Sequence, residues 1–252
     1  MMKIQIPQRG ESGYTIPNIP SPHTGAPVRA DLVWSTANPK TGPGWQLFIL
    51  DQQNHPSEAL KTGGDASVCG NCPMRPRTDL PGLPRYRGCY VNPAMLGAVW
   101  KKQRKAFSSS SDTTKVLQGH YLRLGAYGDP AMLPTPLLEL LTRSCSNWTG
   151  YTHQHNEPWY NPEANKYLMH SVETIAQAKE SWAKGARTFR IDLEELGAQP
   201  GEVVCPNVTH GVQCRDCNLC RGNSLGNAKS VCIPPHGAQG QEKNLKLILE
   251  VK

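Results

Sequence analysis

His120-Tyr-Leu-Arg-Leu-Gly-Ala-Tyr-Gly-Asp-Pro130 is an apolar run closed by a turn. Residues 120–126 read as a strand and Tyr127-Gly-Asp-Pro130 as its turn. Pro136 then opens a helix with Leu137, Leu138, Leu140 and Leu141 on its apolar side. The same unit extends in both directions. Upstream, Trp45-Gln-Leu-Phe-Ile-Leu50 is a short buried-strand signal, and Pro93 opens a helix ending in Lys101-Lys-Gln-Arg-Lys105. Downstream, residues 149–153 and 167–172 read as short strands, and residues 173–184 as a helix stopped by Gly185. Residues 187–191, 203–204 and 231–233 complete the strands. Strand and helix alternate over units of about thirty residues, the rhythm of a parallel sheet. An α/β fold is expected, a partial or full (β/α) barrel over residues 45–252. Residues 1–44 are rich in Pro, Gly, Asn and Ser without an apolar period, which predicts an extended arm on the domain or a disordered tail. Ser108 to Ser111 reads as a loop.

Two cysteine sets interrupt this pattern. The last strands flank Cys205-Pro-Asn-Val-Thr-His-Gly-Val-Gln-Cys214-Arg-Asp-Cys217-Asn-Leu-Cys220, four thiols in sixteen residues with a C-x2-C-x2-C run. Such a loop wraps its backbone round one centre and points sulfurs at several corners. That suits a [4Fe–4S] cluster held by Cys205, Cys214, Cys217 and Cys220. Zinc and a redox disulfide are the alternatives. The second set, Cys69-Gly-Asn-Cys72 and Cys89-Tyr90, has the spacing C-x2-C-x16-C. Three thiols would hold three irons of a cluster and leave the fourth open. The alternative is zinc completed by a histidine, Cys145 or Cys232.

The nine cysteines are odd in number, clustered and too sparse for a disulfide scaffold in 252 residues, so they read as ligands in a reducing compartment. The start, Met-Met-Lys-Ile-Gln-Ile-Pro, has no apolar signal core, and no stretch approaches a membrane span. A soluble cytoplasmic protein without a membrane partner is expected. The net charge of +7 suits nucleic acid as a partner but does not require it. Arg75, Arg77, Arg85 and Arg87 stud the first cysteine loop and read as a solvated basic loop by default. His153 and His155, two apart, would share one face of a strand and could bind metal, relay protons or contact substrate. His170 and Cys145 read as structural, whereas His210 could replace a cluster cysteine and His236 either approaches a cluster or closes a turn. Phosphate-loop, zinc-protease, hydrolase and deaminase motifs are absent.

The cysteine loop after the first strand, ending in Cys89-Tyr90, resembles the start of a radical-SAM barrel. Leu124-Gly-Ala-Tyr-Gly128-Asp129-Pro130 resembles that superfamily's Gly-Gly-Glu-Pro-type turn. The resemblance implies that Gly128 and Asp129 contact the amino group of S-adenosylmethionine and that the C-terminal cysteines form an auxiliary iron–sulfur site. Over residues 60–237 the chain is similar in more detail to a group of phage and mobile-element proteins called after gene product eighty-eight of a phage. The shared features are both cysteine runs, the Gly-Asp strand end, the Tyr-Thr-His and Ser-Val strands and the His-Gly ending. The implied function is an iron–sulfur protein, either a radical-SAM-like enzyme acting on an unknown substrate or a non-catalytic zinc- or cluster-stabilised protein binding nucleic acid or a host protein. One departure is clear: the radical-SAM spacing is C-x3-C-x2-C, so the fourth iron here is either closed or differently oriented.

Overall fold

Eleven short strands in the computed structural model, which describes residues 13–76, 88, 89 and 91–235, form two sheets. The strands are β1 Tyr14–Pro20, β2 Pro27–Ser35, β3 Gly44–Asp51, β4 Lys105–Ala106, β5 Tyr121–Tyr127, β6 Asn147–Thr149, β7 Tyr151–Thr152, β8 Met169–Val172, β9 Thr188–Ile191, β10 Glu202–Val204 and β11 Ser230–Ile233. The first sheet has the order β4-β1-β2-β3-β5-β6, with β1, β2 and β3 antiparallel and β3, β5 and β6 parallel. The second, β10-β11-β9-β8-β7, is parallel throughout. β3 is the central strand of the first sheet, and Trp45, Leu47, Ile49 and Leu50 are fully buried in it. Burial on both faces explains its continuous apolar run.

Helices fill the crossovers: α1 Pro56–Thr62, α2 Ala66–Cys69, α3 Pro93–Lys101, α4 Ser110–Leu117, α5 Thr135–Thr142 and α6 Ile175–Ala183. Two more, α7 Pro206–His210 and α8 Cys214–Cys217, lie within the second cysteine loop. α5 buries Leu138 and Leu141, and α6 starts in a capping box made by Thr174 and Gln177. The four-serine run, expected as a loop, starts α4: the Ser109 hydroxyl accepts the Asp112 N–H as the N-cap.

Part of the stretch expected as an arm or tail is built into the first sheet as β1 and β2. Val28, Ala30 and Leu32 alternate inward and are fully buried, while Asp31 is buried on the opposite face. Its carboxylate accepts from Thr15 Oγ1 at 2.7 Å and pairs with Arg104 at 2.9 Å and Arg29 at 3.3 Å. A buried acid and Arg29 in mid-strand break the apolar alternation by which strands are read. Residues 1–12 lie outside the described residues.

The expected α/β class is present, with one mixed and one parallel sheet, but the full barrel is not: no closed barrel is seen among the described residues. The sheets meet at Gly150, between β6 and β7. Its N–H donates to Cys220 O at 3.1 Å and its carbonyl accepts from Met169 N at 2.9 Å. A Cβ there would come within 2.7 Å of the Leu168 side chain, which would have to shift to admit any larger residue. On the far side, the loop after β10 reaches the β2–β3 turn. Cys214 N–H donates to Lys40 O at 3.0 Å and Arg215 N–H to Thr41 O at 3.1 Å. The second cysteine loop is thus the seam between the two sheets. Among the described residues no helix is long and apolar enough to cross a membrane.

Candidate metal centres

The first thiol set lies beyond the carboxyl ends of the parallel strands, where α/β folds gather their chemistry. α2 ends at Cys69, and Gly70 turns the chain at φ +52°. A Cβ at Gly70 would meet Gln154 Oε1 at 2.2 Å, so the turn closes tightly only without one. Arg75 grips the loop from inside, with a two-pronged pair to Asp65 and further bonds to Gly70 O and Gly63 O. It is a clamp, not the solvated residue expected; Arg77, Arg85, Arg87 and Tyr90 lie outside the described residues. Cys89 N–H donates to Met74 O at 3.0 Å, which brings the distant third thiol back. Cys72 and Cys89 pack on the same small core of Met74, Leu193 and Ile191. Burial, then the neighbouring Cys72 and Cys89 thiols, push the Cys69 thiol well above its ordinary range. A Cys69 thiol held up by burial with two half-buried thiols beside it is a donor set that a cation would relieve.

Gly128 and Asp129 lie against this loop, as the strand order predicts, and each has a role within the protein there. A Cβ on Gly128 would meet Ile49 Cβ at 2.7 Å and Val68 O at 3.1 Å, so glycine here lets β5 pass under the cysteine loop. Asp129 is buried, and both carboxylate oxygens are already engaged. Oδ1 accepts from Ala131 N at 2.9 Å, and Oδ2 from His153 N at 2.8 Å and Gln154 Nε2 at 3.3 Å. Burial raises its pKa, and the two backbone N–H bonds offset part of the rise. The acid caps a short 3-10 turn and fixes the start of the next loop. Asp129→Asn is therefore expected to cost about 1–3 kcal/mol, because the amide NH2 faces N–H donors where an acceptor stood. Urea unfolding of the variant measures this; a cost below about 0.5 kcal/mol would disprove the capping role.

The two imidazoles expected to share a strand face part company, because β7 ends at Thr152. His153 Nδ1 lies 3.3 Å from Cys72 Sγ, and its Nε2 lies 2.8 Å from Glu173 Oε1. Burial pulls the imidazolium pKa down, but Cys72 and Glu173 outweigh it and hold His153 well above its ordinary range. His155 instead stacks on His170, with ring centroids 4.2 Å apart. His170 is structural, as expected: Ser181 Oγ and Asn165 Oδ1 meet its two nitrogens, and burial lowers its pKa to about 3.

The second thiol set faces a partly open cleft of about 790 Å3. Alternate residues of both sheets line it, Gln46 and Phe48 from β3 and Val231 and Ile233 from β11 among them, together with all four cysteines. Burial, then Cys205 and Cys217, push Cys214 up to about 11. Burial, with Cys214, Cys205 and Cys217, pushes Cys220 higher still. The four thiols are therefore within electrostatic reach of one another. Burial also raises Cys217, and the Leu219 N–H directed at its sulfur opposes the rise. Behind Cys220, Arg187 donates to Gly222 O at 2.6 Å, Leu219 O at 2.8 Å and Lys229 O, fixing the end of the loop. Among the described residues no three His, Cys, Asp or Glu side chains form a ready-made shell round a single ion. As a donor set, the all-thiol group on one loop fits a cluster or a thiolate metal, and so does the first trio.

No family model, curated protein or solved structure matches this chain. The reading of the sites therefore rests on their own chemistry.

The remaining thiols stand apart. Cys145 donates to Leu141 O at 3.1 Å and packs on the main core, and burial raises it to about 12. Cys232 is buried 3.3 Å from Arg190 Nη2 and joins neither set. His210 is exposed and bonded to Thr209, and His236 lies outside the described residues. Sequence reasoning passed over Glu173, Gln154 and Arg187. One signal was within reach for the first: Glu173, like His153, is the residue immediately after a parallel strand.

Proposed function

We propose that this chain is an iron–sulfur protein. Cys205, Cys214, Cys217 and Cys220 hold a [4Fe–4S] cluster on the wall of the cleft between the sheets, and Cys69, Cys72 and Cys89 hold a second centre. The observation that carries the reading is that one loop turns four thiols onto the wall of a cavity large enough for a small organic ligand. When bound, such a cluster supplies one-electron transfer. The chain's own residues set the conditions for it. Phe189, Tyr151 and Val231 beside Cys205 and Cys220 form an apolar surround that limits water. The Leu219 N–H at Cys217 and the Arg187 guanidinium near Cys220 offset negative charge on the sulfurs. The ligand in the cavity is the substrate or electron partner. The radical-SAM resemblance would supply S-adenosylmethionine, but its amine would not be held by Asp129, whose oxygens are engaged within the protein.

Anaerobic purification followed by iron, zinc and acid-labile sulfide analysis tests the proposal. A brown protein with iron and sulfide in equal amounts is expected. A colourless protein with stoichiometric zinc and no sulfide would replace this reading with the zinc-stabilised binding protein.

A further inference from the structure

We propose that His153 is the fourth ligand of the Cys69–Cys72–Cys89 centre, coordinating through Nδ1. The inference rests on the reading above that this trio holds a metal centre. Its ground is how the ring is held. Glu173 Oε1, 2.8 Å from Nε2, is buried beside the ring. A carboxylate only accepts, so Nε2 keeps its proton, and it is Nδ1, on the other side of the ring, that gives its proton up when a metal binds. That way lies Cys72 Sγ, at 3.3 Å. Histidine ligands characteristically pass their second N–H to a carboxylate in this manner, which sets both tautomer and ring plane.

The backbone under the ring is fixed to the same loop. His153 N–H is bound by Asp129, and the next residue, Gln154, donates to Cys69 O and accepts from Asn71 N. The imidazole and the thiols are thus one rigid unit rather than a chance approach. The alternative use of a thiol–imidazole–carboxylate series is a nucleophilic cysteine. That use needs one thiol and an open approach to it. Here two further thiols crowd the first, and Cys72 packs on Met74 and Leu193. Three sulfurs and one nitrogen would then make up four donors for the centre. On this view Glu173 is a positioning residue.

The test uses the full chain, purified anaerobically after growth with 15N-histidine or with unlabelled histidine. Pulsed electron paramagnetic resonance of the reduced wild-type protein is expected to show a nitrogen coupling that changes with the label. His153→Cys keeps a fourth donor, so its iron content should match wild type while the coupling disappears. A wild-type spectrum insensitive to the label, or a coupling that survives in His153→Cys, would overturn the proposal. Rapid alkylation of Cys72 in the metal-loaded protein would also overturn it, in favour of the nucleophile. A Cys69→Ser, Cys72→Ser double variant separates the two levels. Unchanged iron in that variant would mean that the trio holds no centre, and the underlying reading would fail before the histidine question arose.

Discussion

Arg190→Met is expected to lower stability by about 3–5 kcal/mol, one of the largest losses from a single substitution in this chain. Arg190 lies on the β9 face opposite Phe189 and Ile191, and its side chain is fully buried. Its guanidinium grips Glu202 of β10 through two bonds, at 2.9 and 2.7 Å. It also pairs with Asp192 at 2.6 Å and donates to Gly197 O at 2.6 Å and to Cys232 Sγ of β11. Burial alone would lower the pKa of the arginine, but Glu202 and Asp192 more than compensate and hold it above its ordinary value. Methionine fills a similar volume and leaves two buried carboxylates without their counter-charge. The thermal midpoint should fall by about 6–20 °C for a chain of this size.

The loss should depend on pH in a defined direction. Burial pushes Asp192 up, but Arg190 and the Gly197 and Leu196 N–H groups outweigh it and hold the carboxyl below its ordinary 3.8. A depressed acid contributes its full stability above the unfolded value and loses it as pH falls through the folded one. The difference between wild type and variant should thus be widest from neutral pH down to about pH 5 and narrow below about pH 4. Unfolding curves at neutral and acid pH measure this. A variant within about 1 kcal/mol of wild type at neutral pH would show that the network is not a stability centre.

The second large effect is expected from Cys214→Ser combined with Cys220→Ser. The proposed C-terminal centre should be lost altogether, since two of its four ligands are gone. The loop would then lack the bond energy that holds it against the β2–β3 turn. Structural thiolate sites contribute about 10–16 kcal/mol in small zinc peptides, and a few kcal/mol of that would lower the midpoint by about 10 °C or more. Protease cleavage between Cys205 and Cys220 and faster hydrogen exchange at Gly150 and Arg215, whose N–H groups are bonded across the seam, should accompany the loss. Cys145→Ser is the control, because that thiol meets only Leu141 O and the core; metal content should not change. Intact metal content in the double variant would refute the assignment.

Much of the second half of the fold was legible in residue pattern. The strand at residues 231–233 shows a continuous apolar signal because it is covered on both faces, those at 169–172 and 188–191 show apolar residues beside buried polar ones, and Gly185 marks the end of α6. β1 and β2 were not legible. Pro17 and the left-handed Asn18 interrupt one, and the buried Arg29–Asp31–Arg104 network disguises the other. Both thiol sets were legible because cysteines separated by two residues are rare without a purpose. What the neighbours of the first set do was not. Asp129 has the residue type of a ligand contact, but its partners are two backbone N–H groups and the Gln154 amide, which only the fold brings to it. Glu173 and Gln154 take their meaning from partners 20 and 85 residues away.

The seam made by the second cysteine loop also orders events in time. Gln213 Nε2 reaches Pro39 O across 174 residues of chain, at 3.4 Å. Closing so long a loop adds little free energy, about 0.6 kcal/mol for each doubling of length, but contacts between such distant residues form slowly. On a ribosome, the strands that will frame the interior emerge well before the residues that seal it. Until that last stretch docks, its sulfurs are displayed on an open chain within reach of a metal or cluster donor. Once docked, they face inward. On the proposed iron–sulfur reading, delivery of the inorganic group and docking of this loop would be a single late step of biogenesis.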